Sequence, residues 1–251
     1  MSYTVETDVC LFDLDGTLVD TTFASNSVWI KLCNEHGVVP EELFKVSHGS
    51  RTAEMLERFF PNVDNTDDKC VQKMEMDMAD NYIDDVKLIQ GSAELLRALD
   101  KNPKDSAMDL RRDGKRKWAI VTSGSNYIAH SWFKSILKDV GEPNVFITAQ
   151  DVTVGKPDPQ GYSLAKDRVA QNMGYTEPVR SVVFEDAPVG IKAGKAMGAI
   201  TIGILSSHSK ERLLEAEPDY IVNDLRDVTV LHNEQGRPLT LQISNPVHVA
   251  A

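Results

Sequence analysis

Short runs of apolar residues recur along the chain, and each run is bounded by polar residues. They cover residues 9–12, 118–121, 145–147, 182–184, 200–204 and 220–222. Between the later runs, apolar residues return at helical spacing over residues 125–140, 160–171, 189–197 and 209–215. Strands that alternate with amphipathic helices are typical of βαβ units. The pattern therefore predicts an α/β fold, with a mostly parallel sheet that carries helices on both faces.

The interval between residues 19 and 88 departs from this alternation. It has no convincing strand, and its apolar spacing predicts consecutive amphipathic helices over residues 23–36, 40–44, 52–60 and 67–85. We therefore expect an all-helical domain that is inserted after the first strand. The prediction divides the chain into a core domain of residues 1–19 and 89–251 and a helical domain of residues 20–88.

Two further segments lie outside the alternation. Residues 101–117 are highly charged and contain Pro and Gly, which predicts a surface excursion before the strand at 118–121. Near the end of the sequence, alternating stretches at 228–232 and 238–243 flank a turn-like segment. These stretches predict a terminal β-hairpin.

Glycine recurs every four residues in and just after the predicted helix 189–197, at Gly190, Gly194 and Gly198. The spacing does not fit a nucleotide-binding loop, and we interpret it as a small-residue face that lets the helix lie close on the sheet. The tryptophans are interpreted as packing residues: Trp29, Trp118 and Trp132. No role is predicted for the histidines that lack metal-ligand spacing: His36, His130, His208, His232 and His248.

Two carboxylates stand where the first predicted strand ends. Asp13 and Asp15, in the sequence Asp-Leu-Asp-Gly-Thr, directly follow the apolar run 9–12. In a parallel sheet, such strand ends emerge into the crevice where open α/β folds bind ligands. The pair can hold a hard cation and can supply both a nucleophile and a proton carrier. The alternative interpretation is an Asp-Gly turn that merely ends the strand.

Hydroxyl groups and a lysine follow two later strands. Thr122 and Ser123 come directly after the strand at 118–121. Hydroxyls and free backbone N–H groups at a helix start can bind a phosphate, and ordinary helix capping is the alternative. Lys156 lies between a glycine and a proline, which is typical of a positioned cation but also fits a solvated lysine.

A second acidic pair, Glu185 and Asp186, follows the apolar run 182–184. Adjacent carboxylates repel each other, so this placement is best explained by a cation that lies between them and Asp13. The sequence therefore predicts a metal site at the edge of the sheet.

The charge and composition exclude several classes of partner. The net charge of −11 argues against nucleic acid and acidic membranes, and no apolar stretch reaches the length of a membrane span. The three cysteines have no paired spacing, which predicts reduced thiols in a cytoplasmic protein. We expect a monomer that acts on a small molecule.

The four elements occur in the order D-x-D-G-T, T, K and E-D, and in this order they resemble the motifs of the haloacid dehalogenase superfamily. The resemblance extends over nearly the whole chain and implies a Rossmann-like core with a helical cap inserted after the first strand. It implies that Asp13 is a nucleophile that becomes a phosphoaspartate. It also implies that Asp15 is first the general acid and then the general base, and that Thr122, Ser123 and Lys156 bind phosphate.

The same resemblance implies a Mg²⁺ cofactor held by Asp13, the backbone carbonyl of Asp15, Glu185 and Asp186. The four carboxylates and a bound phosphate bring more negative charge than Mg²⁺ and Lys156 can offset. Hydroxyl and amide donors must therefore share the rest of the neutralisation. The dehalogenases of the superfamily need neither the second aspartate nor the metal, so the residues present favour phosphate chemistry.

The segment between the second and third predicted cap helices, Ser-His-Gly-Ser-Arg-Thr, offers two candidate substrate-binding residues. Arg51 stands near a flexible glycine and can reach the crevice, and His48 can donate to a sugar hydroxyl. The alternative is a helix start with a solvated arginine. The segment resembles that of the fungal 2-deoxyglucose-6-phosphate phosphatases and the related glycerol-3-phosphate phosphatases. The cap stretches 32–38 and 77–82 favour the first of these two groups.

We therefore expect a Mg²⁺-dependent phosphatase that acts on a small phosphorylated sugar or polyol, with 2-deoxyglucose 6-phosphate as the diagnostic substrate. A glycerol-3-phosphate or sugar-alcohol phosphatase is the first alternative. A phosphomutase of the β-phosphoglucomutase type and a non-catalytic regulator that binds phosphorylated metabolites are the others.

Overall fold

The computed structural model describes residues 1–102, 105–109, 115–234 and 236–250, except for the side chains of 102 and 105–109. Within these ranges the strands are β1 (Ser2–Thr7), β2 (Val9–Phe12), β3 (Val19–Asp20), β4 (Lys87–Leu88), β5 (Lys101–Asn102), β6 (Asp105–Asp109), β7 (Trp118–Val121), β8 (Phe146–Ile147), β9 (Ser181–Glu185), β10 (Ile200–Ile204), β11 (Tyr220–Val222), β12 (Val228–Asn233), β13 (Leu239–Ser244) and β14 (His248–Val249). The α-helices in the same ranges are α1 (Thr22–His36), α2 (Pro40–Phe44), α3 (Thr52–Phe59), α4 (Lys69–Asn81), α5 (Ser92–Leu99), α6 (Asn126–Lys134), α7 (Gln160–Met173), α8 (Pro188–Ala196) and α9 (Lys210–Leu214).

Seven strands form the central sheet in the order β14-β11-β10-β9-β2-β7-β8. All neighbours are parallel except β14, which runs antiparallel to β11. The four residues of β2 are fully buried because this strand lies in the middle of the sheet. The ring of Phe12 stacks on that of Phe184 in β9, with 4.4 Å between the ring centroids. The predicted fold class, a mostly parallel sheet with helices, is confirmed.

The alternating side chains of the central strands enter two separate cores. Cys10 and Phe12 point into the larger core, which also takes up side chains of α5, α6 and the terminal hairpin. Val9 and Leu11 point to the opposite face, where α7 covers them. The sheet is therefore buried on both faces, which explains why its strands are continuous apolar runs in the sequence.

Helix α8 lies close on the sheet, as its glycine spacing predicts. A Cβ atom added at Gly194 would lie 3.0 Å from Cβ of Val183 and 3.0 Å from Cγ2 of Thr201. Gly198 differs, because it has open space and a φ of +80° directly after the helix. Its role is to end α8 in a left-handed conformation that disfavours other residues.

Helices α1 to α4 enclose a third core, separate from those of the sheet, which includes Trp29, Leu43 and Leu56. The two-residue ladder between β3 and β4 stands where the chain enters and leaves this helical unit. The helix predicted at residues 67–85 is shorter, because Asp67 and Asp68 have φ values of 54° and 58° and delay its start. The division at residues 20 and 88 stays a prediction.

Two predicted elements differ at their ends. The helix predicted over 125–140 ends at Lys134, because Ser135 takes up non-helical angles. The predicted terminal hairpin is present as β12 and β13, but β13 also pairs antiparallel with β1. The sequence did not predict β1, which completes a three-stranded sheet from the two ends of the chain.

The predicted surface excursion at 101–117 is wrong at its end, and residues 103–104 and 110–114 of it lie outside the described residues. Arg116 and Lys117 are buried. The Lys117 ammonium donates to the carbonyls of Glu234 and Arg237, and the Arg116 guanidinium donates to the carbonyls of residues 140–142. These charges are tolerated in the interior because carbonyl oxygens accept from both side chains, and because Arg116 also lies 3.1 Å from the buried carboxylate of Asp100. No helix among the described residues is long and apolar enough to cross a membrane.

The close contact of α8 with the sheet gives a testable prediction. We expect Gly194→Val to lower the free energy of unfolding by about 1–3 kcal/mol, because the added methyl groups must displace side chains of β9 and β10. Ala196→Val, which adds similar bulk at an exposed position of the same helix, should cost only about 0.5 kcal/mol. Urea unfolding measures both values, and equal losses in the two variants would contradict the packing argument.

Candidate active site

The carboxyl ends of β2, β7 and β9 bring the predicted polar residues to one edge of the central sheet. Asp13 and Asp15 follow β2, and Thr122 follows β7. Glu185 closes β9 and Asp186 follows it. The three strands are adjacent and parallel, so their ends meet at the same place. Lys156 reaches this edge from the loop between β8 and α7.

The ammonium of Lys156 lies between two carboxylates. Its Nζ is 2.6 Å from Oδ1 of Asp13 and 2.7 Å from Oε1 of Glu185. It also donates to the carbonyl of Val121 at 3.2 Å. The Tyr162 hydroxyl donates to the same Oε1 of Glu185 at 2.9 Å. Lys156 is thereby fixed by three acceptors, and it is a positioned cation and not a solvated one.

Burial shapes the ionisation of this cluster. Burial raises the pKa of Asp13 well above its usual range, Lys156 opposes this, and the carboxylates of Glu185 and Asp186 add to it. Burial works against the charge of Lys156, but Asp13 and Glu185 raise its pKa above the ordinary value. Burial and the Glu185 carboxylate raise the pKa of Asp186 to about 7. The site therefore has an excess of buried negative charge that one lysine does not neutralise.

Asp15 is held by donors from the core. Its Oδ1 accepts from Nε1 of Trp132 at 2.9 Å, and its Oδ2 lies 3.4 Å from the Thr122 hydroxyl. Burial raises the pKa of Asp15, although these bonds lower it in part. Trp132 is buried as the packing interpretation predicts, but it also orients this carboxylate, which the sequence did not reveal. A raised pKa lets a carboxyl group hold a proton more readily, which suits a group that must first release a proton and then accept one.

Asp186 is positioned by residues for which the sequence analysis predicted no role. The Thr17 hydroxyl donates to Oδ1 of Asp186 at 3.0 Å, and the Ser207 hydroxyl donates to Oδ2. The imidazole Nδ1 of His208 lies 3.1 Å from the backbone oxygen of Asp186. The run Ser-Ser-His directly after β10 was the available signal, since it is another polar strand end.

Asp13, Glu185 and Asp186 can place one carboxylate oxygen each within 4.8 Å of the others, and all three residues are buried. Hard oxygen ligands of this kind suit Mg²⁺. Asp15 is not part of this carboxylate group, and the contribution of its backbone carbonyl stays a prediction.

The helical unit covers the site and leaves a cavity of about 90 Å³ above Asp13 and Asp15. The Ser123 hydroxyl donates to the carbonyl of Gly49 at 2.8 Å, so this predicted phosphate ligand also joins the two units. His48 lines the cavity, and its ring meets that of His208 edge to face at 5.6 Å. Burial, and to a lesser degree His208, lowers the pKa of His48 to about 4.

Arg51 is placed away from this cavity. Its Nη1 donates to the carbonyl of Thr153 at 3.3 Å and lies 3.6 Å from the carboxylate of Glu54. It lines a neighbouring cavity beside Lys156. The structure therefore brings His48 to the site and turns Arg51 towards the lysine loop, and both substrate-binding assignments stay predictions.

Glu75 of α4 lines the cavity and was not singled out from the sequence. Its carboxylate accepts from the backbone N–H of Ser125 at 3.0 Å and from the Ser125 hydroxyl. Burial raises the pKa of Glu75 to about 7; the bonds from Ser125 lower it, whereas Asp15 and Asp68 raise it. The signal in the sequence was an acid beside Val71, Met74 and Met78 on the apolar face of the helix.

The sequence of this chain is similar to those of known proteins. A model of the haloacid dehalogenase-like hydrolases matches residues 7–198. The chain is 55% identical to 2-deoxyglucose-6-phosphate phosphatase 2 of Saccharomyces cerevisiae, over 96% of either chain. It is 34% identical to glycerol-1-phosphate phosphohydrolase 1 of the same organism, over 89% of this chain and 84% of the relative.

Solved structures share the fold at low sequence identity. A haloacid dehalogenase hydrolase of family IA from Entamoeba histolytica superposes with a TM-score of 0.68 at 22% identity, over 88% of this chain and 95% of that one. CbbY from Rhodobacter sphaeroides, solved in complex with phosphate, has a TM-score of 0.67 at 19% identity, over 87% of this chain and 95% of that one. These likenesses establish the fold.

The raised pKa of Glu75 makes a prediction about stability. Its ordinary value is 4.5 and its folded value is about 7, so the folded state binds the proton more tightly. Stability therefore falls as the pH rises from about 4.5 to about 7. The free energy of unfolding of the metal-free protein, relative to that of Glu75→Gln, should fall by about 2–3 kcal/mol over this window.

Urea unfolding in a chelating buffer at pH 4.5 and 7.5 measures this difference. Asp80→Asn removes an exposed carboxylate of the same helix and should track the parent protein at both pH values. A difference between parent and Glu75→Gln that does not change with pH would show that Glu75 ionises normally.

Proposed function

This chain belongs to the haloacid dehalogenase-like hydrolase family, as its motifs suggested, and we propose that it is a phosphatase for a small sugar phosphate of the 2-deoxyglucose 6-phosphate type. The observation that carries the proposal is the meeting of Asp13, Asp15 and Lys156 beneath the helical unit. The 55% identity with a 2-deoxyglucose-6-phosphate phosphatase supports the substrate class.

In the first proposed step, a carboxylate oxygen of Asp13 attacks the phosphorus, and the bond between phosphorus and the sugar oxygen breaks. The Asp15 carboxyl group gives its proton to that leaving oxygen. The raised pKa of Asp15 supports this role, because the acid form must be populated when the sugar departs. Lys156, which is held 2.6 Å from Asp13, both orients the attacking carboxylate and offsets charge on the phosphoryl oxygens.

In the second step, water attacks the phosphorus of the phosphoaspartate. Asp15, now a carboxylate, takes the proton of this water, and the bond between phosphorus and the Asp13 oxygen breaks to release inorganic phosphate. Both groups then return to their starting states. Two displacements by well-placed groups replace one that is difficult in water. The Thr122 and Ser123 hydroxyls stand at the start of the segment before α6 and are proposed to donate to phosphoryl oxygens.

The donor set fits Mg²⁺, because three buried carboxylates meet with one lysine as their cation. We propose that Asp13, Glu185, Asp186 and the backbone carbonyl of Asp15 hold the ion. When bound, it would neutralise charge on the phosphoryl oxygens. Thr17 and Ser207 keep the Asp186 carboxylate oriented towards Asp13.

We propose that residues 20–88 form a cap whose closure excludes water, with the β3–β4 ladder at its hinge. His48 is proposed to face the sugar, as a neutral ring that can donate or accept. Arg51 is proposed to act from the Lys156 side of the site. A cytoplasmic location and a monomeric state stay predictions, and the buried thiols of Cys10, Cys33 and Cys70 support a reducing compartment.

Phosphate release with Mg²⁺ tests the function on 2-deoxyglucose 6-phosphate, glucose 6-phosphate, sorbitol 6-phosphate and glycerol 3-phosphate. We expect 2-deoxyglucose 6-phosphate to be preferred over glycerol 3-phosphate. Asp13→Asn should lower kcat by about a thousandfold or more. Asp80→Asn should keep the parent rate. A preference for glycerol 3-phosphate would favour the alternative phosphatase, and full activity of Asp13→Asn would end the proposed mechanism.

Thermal unfolding tests the metal site without relying on turnover. At a concentration about a hundredfold above its dissociation constant, Mg²⁺ should stabilise the protein by about 2.7 kcal/mol, which raises Tm by roughly 5–10 °C. Asp186→Asn should lose most of this rise in Tm. In chelator, its Tm should be no lower than that of the parent protein, because the substitution removes one of several buried negative charges. A rise in Tm that is unchanged in Asp186→Asn would rule this residue out as a ligand.

A further inference from the structure

The cavity above Asp13 and Asp15 has no cationic wall. Among the described residues that line it, none is lysine or arginine. The charged residues on its wall are the two catalytic aspartates and Glu75. The remaining lining consists of glycines and of hydroxyl, aliphatic, thioether and aromatic side chains, with Trp29, Met74 and Met78 among the largest. His48 is neutral near pH 7, because its pKa is lowered to about 4.

Glu75 also occupies the backbone and hydroxyl donors of Ser125, which could otherwise bind an anion. Ser125 is the N-cap of α6, a helix of nine residues, and free backbone N–H groups at a helix start attract negative charge. The carboxylate of Glu75 takes both the N–H and the hydroxyl of Ser125. An anionic group of a ligand would therefore meet an occupied donor pair and a negative charge at the same point.

The two cationic side chains near the proposed phosphate site, those of Lys156 and Arg51, lie outside the cavity above Asp13 and Asp15. Lys156 is enclosed by Asp13 and Glu185, and Arg51 lines the neighbouring cavity and is bonded to the carbonyl of Thr153. A substrate with a single phosphate can use Lys156 and the proposed metal for that group. A second phosphate or a carboxylate on the same substrate would extend into the cavity that has no cation.

We propose that Glu75 is a specificity-determining residue that selects a leaving group with hydroxyls and no charge, and excludes one that carries a second anionic group. This inference rests on the proposed phosphatase function and defines its substrate class. Glu75 has lone pairs beyond the two that Ser125 uses, and these can accept hydrogen bonds from sugar hydroxyls. The same charge repels bisphosphates and phosphorylated sugar acids.

The selection bears on the phosphomutase alternative. A mutase that passes a phosphoryl group between two positions of a sugar must hold a bisphosphate, and each phosphate then needs cationic or amide donors. Glu75 lines the cavity, and none of the described residues that line it is lysine or arginine. The cavity therefore favours release of a neutral alcohol and its replacement by water.

A matched pair of substrates isolates the charge. Sorbitol 6-phosphate and 6-phosphogluconate differ only at carbon 1, which is an alcohol in the first and a carboxylate in the second. Like charges about 6 Å apart, at an effective dielectric constant of about 20, correspond to roughly a hundredfold loss of affinity. We expect the wild type to prefer sorbitol 6-phosphate in kcat/KM by about a hundredfold at about pH 8.5, where Glu75 is ionised.

Glu75→Gln keeps the shape of the side chain and removes its charge. It should narrow the preference by about tenfold or more, chiefly through a lower KM for 6-phosphogluconate. Asp80→Asn makes the same charge change on the exposed side of α4 and should leave the preference unaltered. An equal preference in wild type and Glu75→Gln would overturn the proposal, and so would a wild type that hydrolyses both compounds equally well.

Binding to the Asp13→Asn variant separates this inference from the proposed function. If the wild type releases phosphate from neither of the two compounds and from no other sugar phosphate, the phosphatase assignment is contradicted. Calorimetry on Asp13→Asn and on Asp13→Asn/Glu75→Gln then still measures the discrimination between the two compounds. Preferential binding of sorbitol 6-phosphate that is lost with Glu75→Gln supports the role of Glu75, and equal binding of the two compounds to Asp13→Asn overturns it.

Discussion

The contact of the Lys156 ammonium with Asp13 and Glu185 is the interaction on which the rest of this structure depends. Carboxylates in the interior are costly unless a cation and hydrogen bonds compensate them. Lys156 lies within 2.7 Å of both carboxylates and is itself buried, so it allows β2 and β9 to end side by side in acids. One lysine does not balance the cluster, and the raised pKa values of Asp13 and Asp186 record the remaining excess. That excess is what makes the edge of the sheet receptive to a hard cation.

The helical unit touches the core at the loops that carry the chemistry. Gly49 accepts from Ser123, Glu75 accepts from Ser125, and the ring of His48 meets that of His208 beside Asp186. Each contact joins a residue of the helical unit to a segment within a few residues of a proposed phosphate or metal ligand. The position of the helical unit and the arrangement of the site are therefore linked through short, direct contacts.

Sequence reasoning was effective where topology decides the outcome. The ends of adjacent parallel strands must meet, so Asp13, Thr122 and Asp186 could be brought together from their order along the chain alone. Sequence reasoning was weaker where the outcome depends on the orientation of a single side chain. Arg51 has a rotamer that takes it to Thr153 instead of the cavity, and Glu75 stands in a helical pattern in which polar positions are assumed to face solvent. Buried Lys117 was missed because its partners are carbonyls of a distant turn, which sequence spacing does not reveal.

The pairing of β1 with β13 affects how this protein folds during its synthesis. Synthesis delivers Ser2–Thr7 long before their partners Leu239–Ser244. Strand β2 likewise waits for β7 and β9, which arrive much later in the chain. Contacts between such distant segments form slowly and leave apolar strands unpaired in the meantime. The helical unit has its own core and is synthesised before β7 and β9, so the part that covers the site leaves the ribosome before the strands that complete the site.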